Sequence, residues 1–174
     1  MTPGPDAIVE RLGPLALKPH VAAALAILSQ PGSANAVPTP AAVVDLDAFD
    51  RNVAKMAARA AAAGLALRPH AKSHKCAALA RRQIAAGGVG ICCAKLAEAE
   101  AMAVAGIGAI LVTSPIAGPL QAARAAALAA LIPDFRIVLD HPDGAAELAA
   151  AATCQIQVLI DVDPGLGRTG VHDA

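Results

Sequence analysis

Aromatic residues are almost missing from this chain of 174 residues, which has two Phe and neither Tyr nor Trp. Charge of one sign is missing too, because 14 basic residues balance 14 acidic ones. A nucleic-acid-binding protein needs a basic surface for phosphates, and it commonly stacks bases on aromatic rings. The sequence therefore argues against a nucleic-acid partner. It also argues against disorder, since 56% of the residues are hydrophobic and the net charge is zero.

Long uninterrupted apolar runs are missing as well, although more than a quarter of the residues are alanine. A membrane-spanning helix needs roughly 20 consecutive apolar residues. The best run near the N-terminus, residues 21–28, ends at Ser29, and charged residues or Pro interrupt the later runs. The first ten residues contain acids and no basic stretch, which is not the pattern of a secretory signal. We therefore expect a soluble, cytoplasmic protein with no membrane partner.

The chain also lacks a regular framework of cysteines. The four cysteines are Cys76, Cys92, Cys93 and Cys154, and no CxxC motif is present. Disulfides mark small secreted domains, whereas a chain of this size can stabilise itself with a hydrophobic core. We expect reduced, partly buried thiols.

What the chain does contain is an alternation of short apolar runs with alanine-rich amphipathic stretches. Residues 1–38 are expected to form an N-terminal extension and linker with a helical patch at 20–30, and residues 39–174 a separate domain. The predicted strands, all rich in Val, Ile or Leu, are 41–47, 65–71, 88–94, 109–114, 134–140 and 156–163. The predicted helices between them are 50–63, 76–86, 95–105, 119–131 and 142–152.

This alternation predicts an α/β fold with right-handed βαβ units and a parallel sheet. An open doubly wound sheet and a TIM-type (β/α)8 barrel both fit. Polar residues gather at the predicted carboxyl ends of several strands, namely His70, Lys72, Thr113, Ser114, Asp140, Asp161 and Asp163. A barrel builds its active site from many strand ends, so this pattern favours the barrel. Because only six strand-like runs are present and a barrel closes with eight, we expect a partial barrel.

The segment RPHAKSHK, residues 68–75, concentrates functional side chains at the end of a predicted strand. If the strand stays extended, Arg68, His70, Lys72 and His74 lie on one face, which in a barrel is the interior. Burial there would lower the pKa of Lys72 and favour the neutral amine that attacks a carbonyl carbon. The alternative is a solvated loop that precedes the next helix.

His70 and His74 also raise the question of a metal, since two histidines four residues apart on a helix can share a cation. Pro69 argues against an established helix at this point, and no HExxH motif is present. A metal-binding scaffold is therefore a weaker alternative.

The segment DVDPGLGRTG, residues 161–170, follows the last predicted strand. Its glycines match neither a P-loop nor GxGxxG, so a nucleotide site is weakly supported. Its positive feature is Arg168, which the glycines hold at a strand end where it could donate to an oxyanion. An ordinary tight loop with a surface arginine is the alternative.

Four stretches of the chain are more specific together than any one of them alone. They are TPAAVVDLDAFDRN (39–52), RPHAKSHK (68–75), GICCAKLAEAEAM (90–102) and DVDPGLGRTG (161–170). Together they resemble the D-threonine aldolase family, which is grouped with D-serine dehydratases among enzymes with an alanine-racemase-like barrel of fold type III. The resemblance implies a lyase dependent on pyridoxal phosphate that cleaves D-3-hydroxy amino acids to glycine and an aldehyde by retro-aldol chemistry. Its closest rival is β-elimination of the D-serine dehydratase kind.

Residue by residue, the resemblance implies that Lys72 binds pyridoxal phosphate covalently and that Arg168 approaches the phenolic oxygen of this cofactor. His70 and His74, in the same motif as Lys72, would line the site. The strand predicted at 41–47 would pack with a C-terminal β-domain, which leaves five barrel strands.

Full-length members of the family are expected to be homodimers and to bind a divalent metal through that C-terminal β-domain. Because we expect this domain and the later cofactor-phosphate loops to be absent from the 174 residues, we expect no metal ligand in this chain. An open barrel edge would expose unpaired strand groups, so we expect the chain by itself to be poorly stable and inactive. A cofactor-binding module without turnover, or a gene fragment, is the alternative.

Overall fold

The computed structural model describes Val37 and residues 39–172. The chain divides into two units, Met1–Asp45 and Leu46–Ala174. In the first unit, the described residues form neither helix nor strand. The helix expected at 20–30 lies outside the described residues.

The described part of the second unit alternates helices and strands in the predicted order. The helices are α1 (Leu46–Ala62), α2 (Ala77–Ala85), α3 (Leu96–Val104), α4 (Pro119–Leu131) and α5 (Pro142–Ala151). The strands are β1 (Ile91–Cys93), β2 (Ala109–Val112), β3 (Asp134–Leu139) and β4 (Gln157–Ile160). One 3₁₀ turn, Ala71–Ser73, lies between α1 and α2.

The sheet is parallel throughout, and its strands follow one another in the order β1-β2-β3-β4. The segment 67–70 lies on the other side of β1, where Leu67 and His70 form parallel bridges with Gly88 and Cys92. The segment 67–70 and the four strands therefore occupy five adjacent positions in the sheet, and their spatial order follows their order in the chain. A doubly wound sheet reverses its order at a switch point, whereas a barrel does not. The strand order agrees with the predicted arc of a barrel.

The two faces of the sheet differ, and only one packs into the core with the helices. Alternate residues of β1, β2 and β3 are almost fully buried in one cluster with residues of α2, α3, α4 and α5. The largest side chains that are completely buried are Ile91, Cys93, Ile110, Val112 and Ile137. Full burial of one such aliphatic side chain contributes about 1.5–3 kcal/mol. The side chains on the other face of β2 and β3 are only half-buried. This is expected for the interior face of a barrel when only part of the barrel wall surrounds it.

The strand predicted at 41–47 is wrong. Residues 41–45 have no regular structure, and α1 already begins at Leu46, four residues before the predicted start at Asp50. A strand needs a hydrogen-bonded neighbour, and no described segment pairs with this one. Asp47 in the first turn of α1 interacts favourably with the positive end of the helix dipole.

Four of the other five predicted strands exist and are shorter than predicted. The prediction at 65–71 is reduced to the two isolated bridges, since this segment pairs only with β1 and the 3₁₀ turn begins at Ala71. β4 is exposed at all its residues. None of the described helices is long and apolar enough to span a membrane.

Candidate functional site

The turn that carries Lys72 begins where the extended segment beside β1 ends. His70 still has extended backbone, with φ −95° and ψ 116°, and Ala71–Ser73 then form one 3₁₀ turn. The carbonyl of Ala71 accepts the backbone N–H of His74 at 3.2 Å. The strand alternation therefore ends at His70, and the prediction that Lys72 and His74 continue the strand face of Arg68 and His70 is wrong.

Lys72 is exposed, so the burial expected for this lysine is not observed. The second lysine of the same motif differs from it in its contacts. Nζ of Lys75 lies 3.6 Å from Oε1 of Glu98, which is itself mostly buried. In the described part of the chain, no hydrogen bond or ion pair engages Nζ of Lys72. Of the two lysines, Lys72 therefore presents the amine that is free to react.

The imidazole of His70 connects this turn to the end of β2. Its Nδ1 accepts the backbone N–H of Lys72 at 3.3 Å, and its Nε2 lies 3.1 Å from Oγ1 of Thr113. That hydroxyl donates to the carbonyl of Cys93 at 3.2 Å. Burial lowers the pKa of His70, and so does the charge of Lys72, although Glu98 opposes the shift.

His74 makes the same kind of contact one turn later. Its Nδ1 accepts the backbone N–H of Cys76 at 3.1 Å, and its Nε2 lies 3.1 Å from Oε1 of Gln83. The two histidines of the motif thus form separate sets of hydrogen bonds and share no partner in the described part of the chain. Among the described residues, no group of three or more His, Cys, Asp or Glu could hold a metal ion.

The loop that carries Arg168 is organised by the carboxylate of Asp163. One oxygen accepts the backbone N–H of Gly165 at 2.8 Å and of Leu166 at 2.6 Å, and the other accepts that of Gly167 at 2.7 Å. Asp163 was predicted to lie at a strand end, but its role in organising the loop was not predicted. The signal was available, because Asp followed by Pro-Gly is typical of a turn in which the side chain accepts from the following backbone.

Asp163 has one of the few displaced carboxyl pKa values among the described residues. Burial raises the pKa of Asp163, but the N–H donors of Gly165, Gly167 and Leu166, with the nearby imidazole of His172, outweigh it. The pKa of Asp163 is therefore held below its usual range, and the loop keeps a charged acceptor at its centre.

The far end of this loop is attached to the neighbouring strand ends. Gly170 donates its backbone N–H to Asp140, just after β3, at 3.2 Å, and Val162 and Val171 form a parallel bridge. Gly170 has φ 101°, and a Cβ at this position would lie 2.5 Å from the backbone nitrogen of Asp163. Only glycine fits this approach.

The structure brings together two of the three predicted site residues. His70 and Lys72 lie next to each other at the end of the segment beside β1. Arg168 is exposed and follows β4, which lies at the opposite edge of the sheet. All three follow the carboxyl ends of parallel strands. Within residues 39–172, no hydrogen bond or ion pair joins Arg168 to His70 or Lys72.

Residues 44–174 match the protein family described as alanine racemase, N-terminal domain. Over 149 residues the chain is 41% identical to a D-threonine aldolase from Arthrobacter sp., an alignment that covers 83% of this chain and 39% of the relative. It is 38% identical over 136 residues to a D-threo-3-hydroxyaspartate dehydratase from Delftia sp. (strain HT23), with 76% of this chain and 36% of the relative covered. The crystal structure of a D-threonine aldolase from Filomicrobium marinum superimposes with a TM-score of 0.74 at 42% identity, covering 78% of this chain and 37% of that one. The chain thus spans less than two fifths of the length of these relatives.

Proposed function

Because the chain belongs to the family of alanine racemase N-terminal domains, we propose that residues 39–174 are the cofactor-binding barrel portion of a D-threonine aldolase-like lyase. The cofactor is pyridoxal phosphate, and the substrates are D-3-hydroxy amino acids, which are cleaved to glycine and an aldehyde. The observation that carries this proposal is the free amine of Lys72 at a strand end, in a chain similar to the aldolases.

The residues at the strand ends fit this cofactor. Lys72 would hold its aldehyde carbon, because its exposed amine forms no competing ion pair with any described residue, unlike that of Lys75. Arg168 would donate to the phenolic oxygen from the loop that Asp163 organises. When bound, the cofactor supplies an electron sink for carbanion chemistry.

Deprotonation of the lysine and stabilisation of an oxyanion depend on groups of the chain itself. The amine of Lys72 must lose its proton before it can attack a carbonyl carbon. A neutral His70 beside it adds no further positive charge, and its cap holds the backbone of the turn. The guanidinium of Arg168 is a fork of N–H donors, so it can donate hydrogen bonds to an oxyanion.

A dehydratase is the second candidate, because the Delftia relative is almost as similar to this chain as the Arthrobacter aldolase. The same lysine would serve both reactions. The products distinguish them, since the aldolase yields glycine with an aldehyde and the dehydratase yields a 2-oxo acid with ammonia. A module that binds the cofactor without turnover would yield neither.

Three further features belong to the same proposal. A protein of the relatives' full length would be a homodimer and would bind a divalent metal through a separate domain, and this chain is expected in the cytoplasm. The free thiols of all four cysteines agree with a reducing compartment.

The test is to mix the purified chain with pyridoxal phosphate, record its absorbance spectrum, reduce with borohydride and map the labelled peptide. We expect an imine band and a label on Lys72. Lys72→Ala should abolish both, and Lys75→Ala, the matched control within the motif, should keep them. A label on Lys75, or no label on the wild-type chain, would contradict the proposal. Product analysis with D-threonine and D-3-hydroxyaspartate, carried out on a form extended to the length of the relatives because we expect the 174 residues alone to be inactive, then separates aldolase from dehydratase.

A further inference from the structure

The hydrogen bonds of His70 determine where its proton lies. A backbone N–H can only donate, so Nδ1 of His70, which faces the N–H of Lys72 at 3.3 Å, must be the acceptor and carry no proton. An imidazolium has N–H groups at both nitrogens, and its Nδ1–H would point at the N–H of Lys72.

The second nitrogen of His70 faces a hydroxyl whose own proton is already engaged. A carbonyl can only accept, so the hydroxyl of Thr113 donates to the carbonyl of Cys93 at 3.2 Å. Toward Nε2 of His70, 3.1 Å away, the same oxygen can then only accept. The two contacts together select one form of the imidazole, neutral and protonated at Nε2.

We propose that Thr113 is a positioning residue for Lys72. Its hydroxyl holds His70 in the neutral form with the proton on Nε2, and His70 in turn caps the backbone N–H of Lys72 and fixes the 3₁₀ turn. This inference rests on the proposed function only for the role of Lys72 as the lysine that binds the cofactor. Without Thr113, the imidazole can rotate or take the other tautomer, and the cap on Lys72 is lost.

The surroundings of His70 favour the same form. Its ring lies against the ends of β1 and β2, where its burial disfavours a charge. The charged groups that act on it are Lys72, which disfavours the imidazolium, and Glu98, which favours it, as does a hydrogen bond with the backbone of Cys92; the net effect is a lowered pKa. Glu98 is also engaged by Lys75 and by the backbone N–H of Ala94 at 2.8 Å.

The experiment compares the wild-type chain with Thr113→Val, which removes the hydroxyl but keeps the shape, and with Thr113→Ser, which keeps the hydroxyl. Each chain is labelled with ¹⁵N-histidine, and the variant His70→Gln identifies the resonances of His70. In the wild-type chain and in Thr113→Ser, we expect Nε2 to carry the proton and Nδ1 to resonate downfield as an unprotonated nitrogen. In Thr113→Val, we expect mixed tautomers and a Lys72 amide that exchanges with water about tenfold faster.

Labelling with pyridoxal phosphate and borohydride gives the second measurement. Thr113→Val should slow the labelling of Lys72 about tenfold, because small displacements of a reacting group have large effects on rate. Thr113→Ser should label at nearly the wild-type rate. Circular dichroism checks that every variant is folded.

The two measurements test the positioning role of Thr113 and the proposed function separately. A proton on Nδ1 of His70 in the wild-type chain would overturn the positioning role, and so would a Thr113→Val chain with unchanged His70 resonances and Lys72 exchange. If the resonances behave as expected but the wild-type Lys72 takes no label, the support of the turn by Thr113 stands and the proposed function fails.

Discussion

The guanidinium of Arg68 lies 2.8 Å from the carboxylate of Asp134, an ion pair that joins the segment beside β1 to the start of β3. β1 and β2 lie between these two elements, so one long side chain crosses two strands on the face away from the helices. Arg136 donates to the other oxygen of Asp134 at 2.8 Å. Burial raises the pKa of Asp134, but the bonds from Arg68 and Arg136 outweigh it and hold the pKa below its usual range.

Acid should therefore destabilise the fold partly through Asp134. Since the folded-state pKa lies below the unfolded value of about 3.9, the contribution of this carboxylate is fully present above that value and is lost as the pH falls through the folded-state pKa. Asp134→Asn should lower the free energy of unfolding by about 2 kcal/mol at pH 7 and reduce the acid sensitivity. Urea unfolding at a series of pH values measures both. Asp143→Asn is the control, because that side chain is 87% exposed, and it should cost less than about 1 kcal/mol. An equal loss in the two variants would refute the assignment.

Gly90→Ala should destabilise the same region. Gly90 has φ 146°, and a Cβ there would collide with Nη1 of Arg68 and lie 2.7 Å from the carbonyl oxygen of Ala109. Because the arginine side chain and the backbone of β2 occupy this space, we expect a loss of about 2 kcal/mol or more in urea unfolding. Gly108→Ala is the matched control. A Cβ at Gly108 meets only Pro133 at 3.8 Å, an ordinary contact, so its midpoint should move little.

Asp163→Ala should loosen the loop that presents Arg168. The variant leaves the N–H groups of Gly165 and Gly167 without their acceptor, so we expect faster proteolytic cleavage within residues 164–169 and a lower melting temperature. Limited proteolysis with mass mapping locates the cut. Asp161→Ala provides the comparison, since the side chain of Asp161 makes no hydrogen bond within the described residues. Cleavage at the same rate in both variants would show that Asp163 does not organise the loop.

The cysteines should differ in reactivity by position. Burial raises the pKa of Cys93 to about 12, with smaller contributions from Glu98 and Cys92, so almost none of this thiol is ionised at pH 8. Cys154 is exposed. Iodoacetamide should therefore modify Cys154 first and Cys93 only after unfolding, as measured by mass spectrometry of tryptic peptides. Rapid modification of Cys93 in the folded chain would contradict its burial in the core between the sheet and the helices.

Element type and order could be predicted because periodicity reports the environment of each side chain. α4 was predicted with its observed bounds, Pro119–Leu131, since Pro fits the first turn and an alanine-rich amphipathic run follows. The prediction of a strand at 41–47 was wrong because it rested on the residue types of that segment alone. Strand propensity describes one segment, whereas a strand exists only when a second segment pairs with it.

The sequence by itself determined the alternation of helices and strands and the two motifs in which Lys72 and Arg168 lie. Only the tertiary structure decided that extended backbone stops at His70 and leaves Lys72 exposed. It also decided which distant side chains meet, such as His70 with Thr113, 43 positions later in the chain. The physical reason is that such contacts depend on strand register across several βα units, and no local pattern of residue types encodes the register.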